Sequence, residues 1–319
     1  MTDFTLIEAP SCLGLKPGVE RLPEALLQAG LARRLDARPH ARLAAPPYSA
    51  TRDPATGIRN APRIRDFAVM LADLVGPVVA RGGFPVVLGG DCSILLGNLL
   101  ALRRSGKRHG LLFLDGHADF YQPAASPTGE AADMDLALST GRGPEIVTNL
   151  EGLRPLVRDE HVALLGHRDA AEAIANGSQP LPPALFAQDL ATLRRKGAET
   201  AAREAVWHLA RPELAGFWIH LDLDVLDDAI MPAVDYRMPD GLSWAELEIV
   251  LSAALRSGKA LGLDITIFNP DLDRDGRIAR AVVDSLGRAL KPSPDARLEL
   301  CAQRQRRMGF AYRAVPCAG

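Results

Sequence analysis

Two short acidic segments hold the residue types best suited to chemistry. One reads Asp115-Gly116-His117-Ala118-Asp119 and the other Asp222-Leu223-Asp224. Each directly follows an apolar run, LLFL at 111–114 and FWIHL at 217–221. Residues two apart on an extended chain point to the same side, so each segment presents its polar groups together. A lone Asp-x-Asp serves as readily as a turn or a capping carboxylate. A pair of such clusters at strand ends is different, because unpaired acidic groups brought together there are costly. Four carboxylates and an imidazole that converge repel one another unless cations neutralise them. Oxygen-rich donors with histidine suit divalent Mn, Fe, Co, Ni or Zn. Asp115, His117, Asp119, Asp222 and Asp224 are therefore read as metal ligands. A third segment, Gly89-Gly90-Asp91-Cys92-Ser93, follows the apolar run PVVL at 85–88.

Positioning these groups requires strands that end where the motifs begin. Nearly continuous apolar runs at Pro85–Leu88, Leu111–Leu114, Val162–Leu165, Phe217–Leu221 and Ala260–Ile267 predict strands buried on both faces of a parallel sheet. Between them, three- and four-residue apolar spacing predicts helices over Ile64–Ala80, Asp189–Leu209 and Trp244–Ser257. Ser243 with Glu246 three residues on forms a capping-box pattern at the start of the last. Alternating strand and helix predicts a layered α/β fold, and the carboxyl ends of parallel strands are where sites form. The Pro-rich stretch Pro46–Pro54 and the segment Tyr121–Pro144 read as long surface loops. No linker divides the chain, and a single domain over 1–319 is expected.

The totals narrow the partners. The chain has 319 residues, 47% hydrophobic and 24% charged, with a formal net charge of −2. That balance calls for neither nucleic acid nor an anionic membrane. No apolar run approaches a membrane span, and the start MTDFTLIEAP lacks the basic and apolar regions of a secretory signal. Cys12, Cys92, Cys301 and Cys317 show no CxxC spacing and read as reduced thiols, so a cytoplasmic protein is expected. The basic residues Arg304, Arg306 and Arg307 read as a solvated face or a subunit contact.

The motifs in their order resemble the arginase/agmatinase (ureohydrolase) family, which carries Gly-Gly-Asp-His-Ser, Asp-x-His-x-Asp and Asp-x-Asp-x-x-Asp segments. The last appears here as Asp222-Leu223-Asp224-Val225-Leu226-Asp227. The likeness continues through Gly18-Val19-Glu20, Ala29-Gly30-Leu31, Gly166-His167-Arg168-Asp169, Gly241-Leu242-Ser243, and Asp264 with Asn269-Pro270, covering nearly the whole chain and leaning to the arginase branch. The resemblance implies a three-layer α/β/α sandwich with a mainly parallel eight-stranded sheet. It also implies two divalent metal ions, manganese in the family, held by Asp115, His117, Asp119, Asp222, Asp224 and position 92. In the mechanism it implies, a hydroxide bridging the metals attacks the planar carbon of a guanidine or amidine. Asp119 orients that hydroxide and helps pass a proton to the departing amine. A homo-oligomer, trimer or hexamer, is implied as well.

The chain departs from the family pattern at several places. Cys92 replaces the metal-ligating histidine, and its sulfur admits Zn, Ni, Co or Fe beside Mn. Ile267 stands where the family has the glutamate that pairs with a guanidinium, leaving Asp235 or Glu130 to substitute. Ala233-Val234-Asp235-Tyr236-Arg237 replaces Gly-Thr-Gly-Thr-Pro, so Tyr236 is expected to shape the pocket. The loop Thr128–Asp133 lacks the proton-shuttle histidine but holds Glu130 and Asp133. Asp169 matches a position near the family's amino-acid pocket, whereas Ala171 replaces a second acidic residue. His167 is expected to line the pocket, and His40, His109, His161, His208 and His220 to be structural or on the surface. The expected reaction is hydrolysis of a linear C–N bond in an arginine-like compound with release of urea. The alternatives are hydrolysis of formimidoylglutamate or another amidine, and a non-catalytic metal-binding homologue.

Overall fold

The computed structural model describes residues 2–291. Cys301, Cys317 and the basic run at Arg304, Arg306 and Arg307 lie outside the described residues. The strands are β1 (Phe4–Glu8), β2 (Arg38–Arg42), β3 (Phe84–Leu88), β4 (Gly110–Leu114), β5 (Val162–Leu165), β6 (Phe186–Gln188), β7 (Phe217–Asp222) and β8 (Ala260–Thr266). They form one eight-stranded sheet in the order β2-β1-β3-β8-β7-β4-β5-β6, and every pairing between them is parallel.

Side-chain alternation sorts each strand between two apolar layers. Leu112 and Leu114 of β4, Ile219 and Leu221 of β7, and Leu263 and Ile265 of β8 join one layer. That layer is covered by the helices Ala198–Leu209, Trp244–Arg256 and Arg277–Leu290. Leu111, Phe113 and Trp218 face the other layer, beneath the helices Ala61–Ala80 and Leu95–Arg103. Burial on both faces explains the unbroken apolar runs of the central strands. The fold is the expected three-layer α/β/α sandwich.

Most expected elements form within a few residues of their predicted bounds, including the Ser243–Glu246 capping box. Two expectations need correction. The helix expected over Asp189–Leu209 is two, Leu190–Lys196 and Ala198–Leu209, separated at Gly197 with φ +80°. Only glycine enters that region at little cost. The segment Tyr121–Pro144 is not a surface loop either. It turns inward through a 3-10 turn at Ala131–Asp133 and a short helix at Asp135–Ser139, every residue of which is buried. The apolar spacing of Ala131, Met134, Leu136 and Leu138 carried the signal, and all four pack in the second layer.

Strand order places the motifs side by side. Consecutive strands β3 and β4 lie on opposite sides of β8 and β7, and a change of winding of this kind opens a crevice at the carboxyl ends. The three motifs follow β3, β4 and β7.

Candidate metal centre

Each motif is held by local hydrogen bonds that its own sequence supplies. After β4, Asp115 Oδ1 accepts from His117 N at 2.6 Å, a turn that aspartate closes readily. Asp119 then takes a left-handed conformation with φ +45°. After β7, Asp222 Oδ1 accepts from Asp224 N at 2.7 Å, and Asp224 Oδ1 accepts from Gly116 N at 3.0 Å, so the two turns are tied together. After β3, Gly90 passes so close to Ser11 that a Cβ would lie 1.7 Å from its carbonyl oxygen. Asp91 accepts from Ser11 Oγ at 2.7 Å and from Ser93 N at 2.9 Å, capping the turn that begins at Cys92. Cys92 Sγ then donates to Asp222 Oδ2 at 2.9 Å and lies 3.2 Å from Thr266 Oγ1.

The six expected ligands meet. Asp115, His117 and Asp119 bring ligand atoms within 4.8 Å of one another, and so do Cys92, Asp115, Asp222 and His220. Asp115 belongs to both groups. Asp224 Oδ2 lies 3.0 Å from His117 Nδ1, and Asp115 Oδ1 lies 3.5 Å from the same nitrogen. Neighbouring ligands of one ion with bonds of about 2.1 Å sit about 3 Å apart or a little more. The donors therefore fit metal ions, one beside His117 and one beside Cys92.

Electrostatics point the same way. Burial, with the Asp224 charge behind it, pushes the Asp115 carboxyl up to about 6. Asp119 and Asp222 are pushed well above the usual carboxylate range by burial and then by neighbouring aspartates. Burial works against a charge on His117, but Asp224 and Asp115 outweigh it and raise the imidazole well above its ordinary value. For Asp224 burial is likewise the largest influence, yet His117 outweighs it and lowers the carboxyl. Burial and then Asp222 raise the Cys92 thiol. Protein groups alone thus favour protons where divalent cations would relieve the same repulsion. Asp115 Oδ2 lacks a hydrogen-bond donor among the described residues, as do both oxygens of Asp135.

Asp135 and His220 were not among the expected site residues, and both are completely buried. His220 is structural in part, since its Nδ1 meets Asp264 Oδ2 at 2.5 Å, but its ring also stands in the Cys92 group. The sequence offered a weak signal for it: His220 precedes Asp222 by two positions and shares its face.

The expected substrate residues are mostly engaged. Glu130 accepts from Arg59 Nη1 at 2.6 Å and from Tyr236 Oη at 2.7 Å. Asp235 pairs with Lys16 at 3.3 Å and accepts from Asn269 Nδ2. Lys16 also lies 5.3 Å above the Tyr236 ring, so Tyr236, Asp235 and Glu130 share one neighbourhood. Asp133 is bonded by Ser126 and Thr128. Asp169 differs: it is buried, and its Oδ1 has no partner among the described residues. His167 is also buried just past the end of β5, with Nδ1 unpartnered among the described residues. Next to them, Arg168 donates to the carbonyls of Asp224, Leu226, Met238 and Pro239, clamping the segment after β7. Ile267, at the position of the family glutamate, is buried with φ +74°, a strained conformation for a β-branched residue.

The sequence model of the arginase family matches residues 2–290. The chain belongs to the arginase family. Among curated relatives, the arginase of Brevibacillus brevis is 32% identical over 213 residues, 67% of this chain and 70% of that protein. The arginase of Bacillus caldovelox is 29% identical over 295 residues, 90% of this chain and 97% of that protein. Its crystal structure superposes with a TM-score of 0.81 at 26% identity, covering 92% of this chain and all of that one. A hypothetical agmatinase from Burkholderia thailandensis, at 17% identity and a TM-score of 0.64, shares the fold.

Proposed function

We propose that this arginase-family chain is a metal-dependent hydrolase that cleaves a linear C–N bond in a guanidino or amidine compound. The observation that carries the reading is the pair of ligand groups that share Asp115 at adjoining strand ends. Asp115, His117, Asp119 and Asp224 would hold one divalent cation, and Cys92, Asp115 and Asp222 the other. Manganese suits the first group, while the thiol admits zinc, nickel, cobalt or iron in the second. Two such ions would supply a water acidic enough to act as nucleophile near neutral pH.

The chain's own residues do the rest. His117 Nδ1 faces Asp115 and Asp224 at 3.5 and 3.0 Å, so the three would share one cation. Asp119, buried and with a left-handed backbone, would hold a proton and hand it to the departing amine. Asp169, with Oδ1 unpartnered among the described residues, would meet a cationic group of the substrate.

Ile267 favours a second substrate class. A guanidinium that loses a charge-assisted hydrogen bond to a carboxylate forfeits about 1.5–3 kcal/mol, and Glu130 is already committed to Arg59 and Tyr236. A formimidoyl or other amidine group, smaller and with fewer N–H donors, is served better by an apolar wall. The test is elemental analysis of the purified protein followed by a screen of guanidines and amidines for urea or ammonia release with the bound ion. Turnover with two ions per chain is expected. Two ions and no turnover of either class would leave a non-catalytic homologue.

A further inference from the structure

A buried polar seam crosses the second layer just beneath the centre. β7 and β8 pair in register with His220 opposite Asp264 and Asp222 opposite Thr266. Asp264 Oδ1 accepts from Trp218 Nε1 and from Asn98 Nδ2, the latter at 2.9 Å, while Oδ2 meets His220 Nδ1 at 2.5 Å. Three nitrogen donors therefore hold Asp264, and Asp264 in turn orients the imidazole. Gly262 is part of the device, because a Cβ there would lie 2.2 Å from the Trp218 ring.

The ring that results has one nitrogen spoken for and one left over. His220 is completely buried, and its Nε2 has no hydrogen-bond partner among the described residues. Asp135 Oδ2 lies 3.9 Å from it, beyond hydrogen-bond reach, and neither Asp135 oxygen has a hydrogen-bond partner among the described residues. Leaving a buried imidazole nitrogen and a buried carboxylate unmatched is costly. Histidines that bind metals show this arrangement, one nitrogen fixed by a carboxylate and the other offered to the ion.

Resting on the reading of a two-cation centre given above, we propose that His220 supplies the imidazole of the Cys92-side site. That site comprises Cys92, Asp115, Asp222 and His220, with Asp135 as a neighbouring anion. The chain then keeps one nitrogen ligand on that side although position 92 carries sulfur. The nitrogen comes from the neighbouring strand instead of from the turn after β3. A donor set of sulfur, nitrogen and two carboxylates selects zinc, cobalt or iron over manganese. The two cations of the centre therefore differ in kind.

The experiment uses the full chain, stripped with a chelator and titrated with Co2+ and Zn2+, as wild type, His220→Gln and Cys92→Ser. Readouts are metal stoichiometry, chelator-competition affinity and the thiolate-to-cobalt absorption. Thermal unfolding of each metal-free form serves as the check on folding. Wild type should bind two ions and show the thiolate band. H220Q should keep the band but bind the Cys92-side ion at least about tenfold more weakly, and C92S should lose the band. X-ray absorption of wild type with one equivalent of Zn2+ gives an answer that needs no variant: sulfur at about 2.3 Å together with imidazole scattering. Unchanged affinity in a folded H220Q, or a zinc shell without sulfur, would overturn the assignment while leaving the two-cation reading intact. Should H220Q lower only the metal-free melting temperature, His220 is an ion-pair residue between Asp264 and Asp135. A wild type that binds no divalent ion removes the proposed function as well.

Discussion

At the scale of single residues, sulfur at position 92 is the choice with the widest consequences. A thiolate holds zinc or cobalt well and manganese poorly. Cys92→His is therefore expected to raise manganese affinity by roughly tenfold or more and to lessen the preference for zinc. Competition titrations of the two proteins measure both effects. Asp119 carries the proton in the proposed reaction, and Asp119→Asn should lower kcat by about 10²- to 10⁴-fold with an unchanged circular dichroism spectrum. A loss of less than tenfold would assign the proton to another group. The carboxylates that meet at the candidate centre were legible in the sequence because they alternate directly after apolar runs. His220 and Asp135 were not, for opposite reasons. His220 lies inside the run FWIHL, and its partner Asp264, itself held by Asn98, lies far off in the chain. Asp135 sits in a polar-looking stretch that folds inward on its apolar spacing. Glu130 looked free for a substrate, yet Arg59, 71 residues earlier, already holds it.

Secondary elements were legible to the degree that they are buried on both sides. The central strands β3, β4, β7 and β8 could be read as apolar runs, whereas edge strand β2, with its sequence Arg38–Arg42 largely exposed, offers no such pattern. The helix break at Gly197 was hidden because apolar spacing continues across it. Between elements, the contact that matters most to the centre is the reach of Arg168 from the end of β5 to four carbonyls after β7. Arg168→Ala leaves those acceptors without their charged donor. It is expected to cost about 1.5–3 kcal/mol of stability in denaturant unfolding, and to weaken metal binding through the loosened Asp224 turn. Unchanged unfolding would show that solvent replaces the guanidinium freely.

The whole molecule should answer to pH through its acidic centre. Asp115 has a folded value of about 6 against an ordinary 3.8. In the metal-free protein this group thus favours folding fully only below about 4, and that contribution is lost as pH rises through 6. Asp119, Asp135 and Asp222 are shifted in the same direction, by burial first. Cations reverse the effect, since they bind the ionised carboxylates and displace the protons. The rise in melting temperature on adding metal should therefore grow between pH 5 and pH 8. A gain independent of pH would mean that the carboxylates are already ionised without metal. Ions at this centre would also join segments as far apart as Cys92 and Asp222, separated by 130 positions.

The strand order has a further consequence for the growing polypeptide. The two strands at the middle of the sheet, β7 and β8, are among the last synthesised, while β3 and β4 on either side of them are made more than a hundred residues earlier. Until residue 222 has left the ribosome β4 exposes an unpaired edge, and β3 exposes one until residue 266 has followed. Such edges invite association with other chains. Nascent chains should accordingly be good clients for chaperones, and one truncated before Phe217 should aggregate instead of forming a smaller version of the same sandwich.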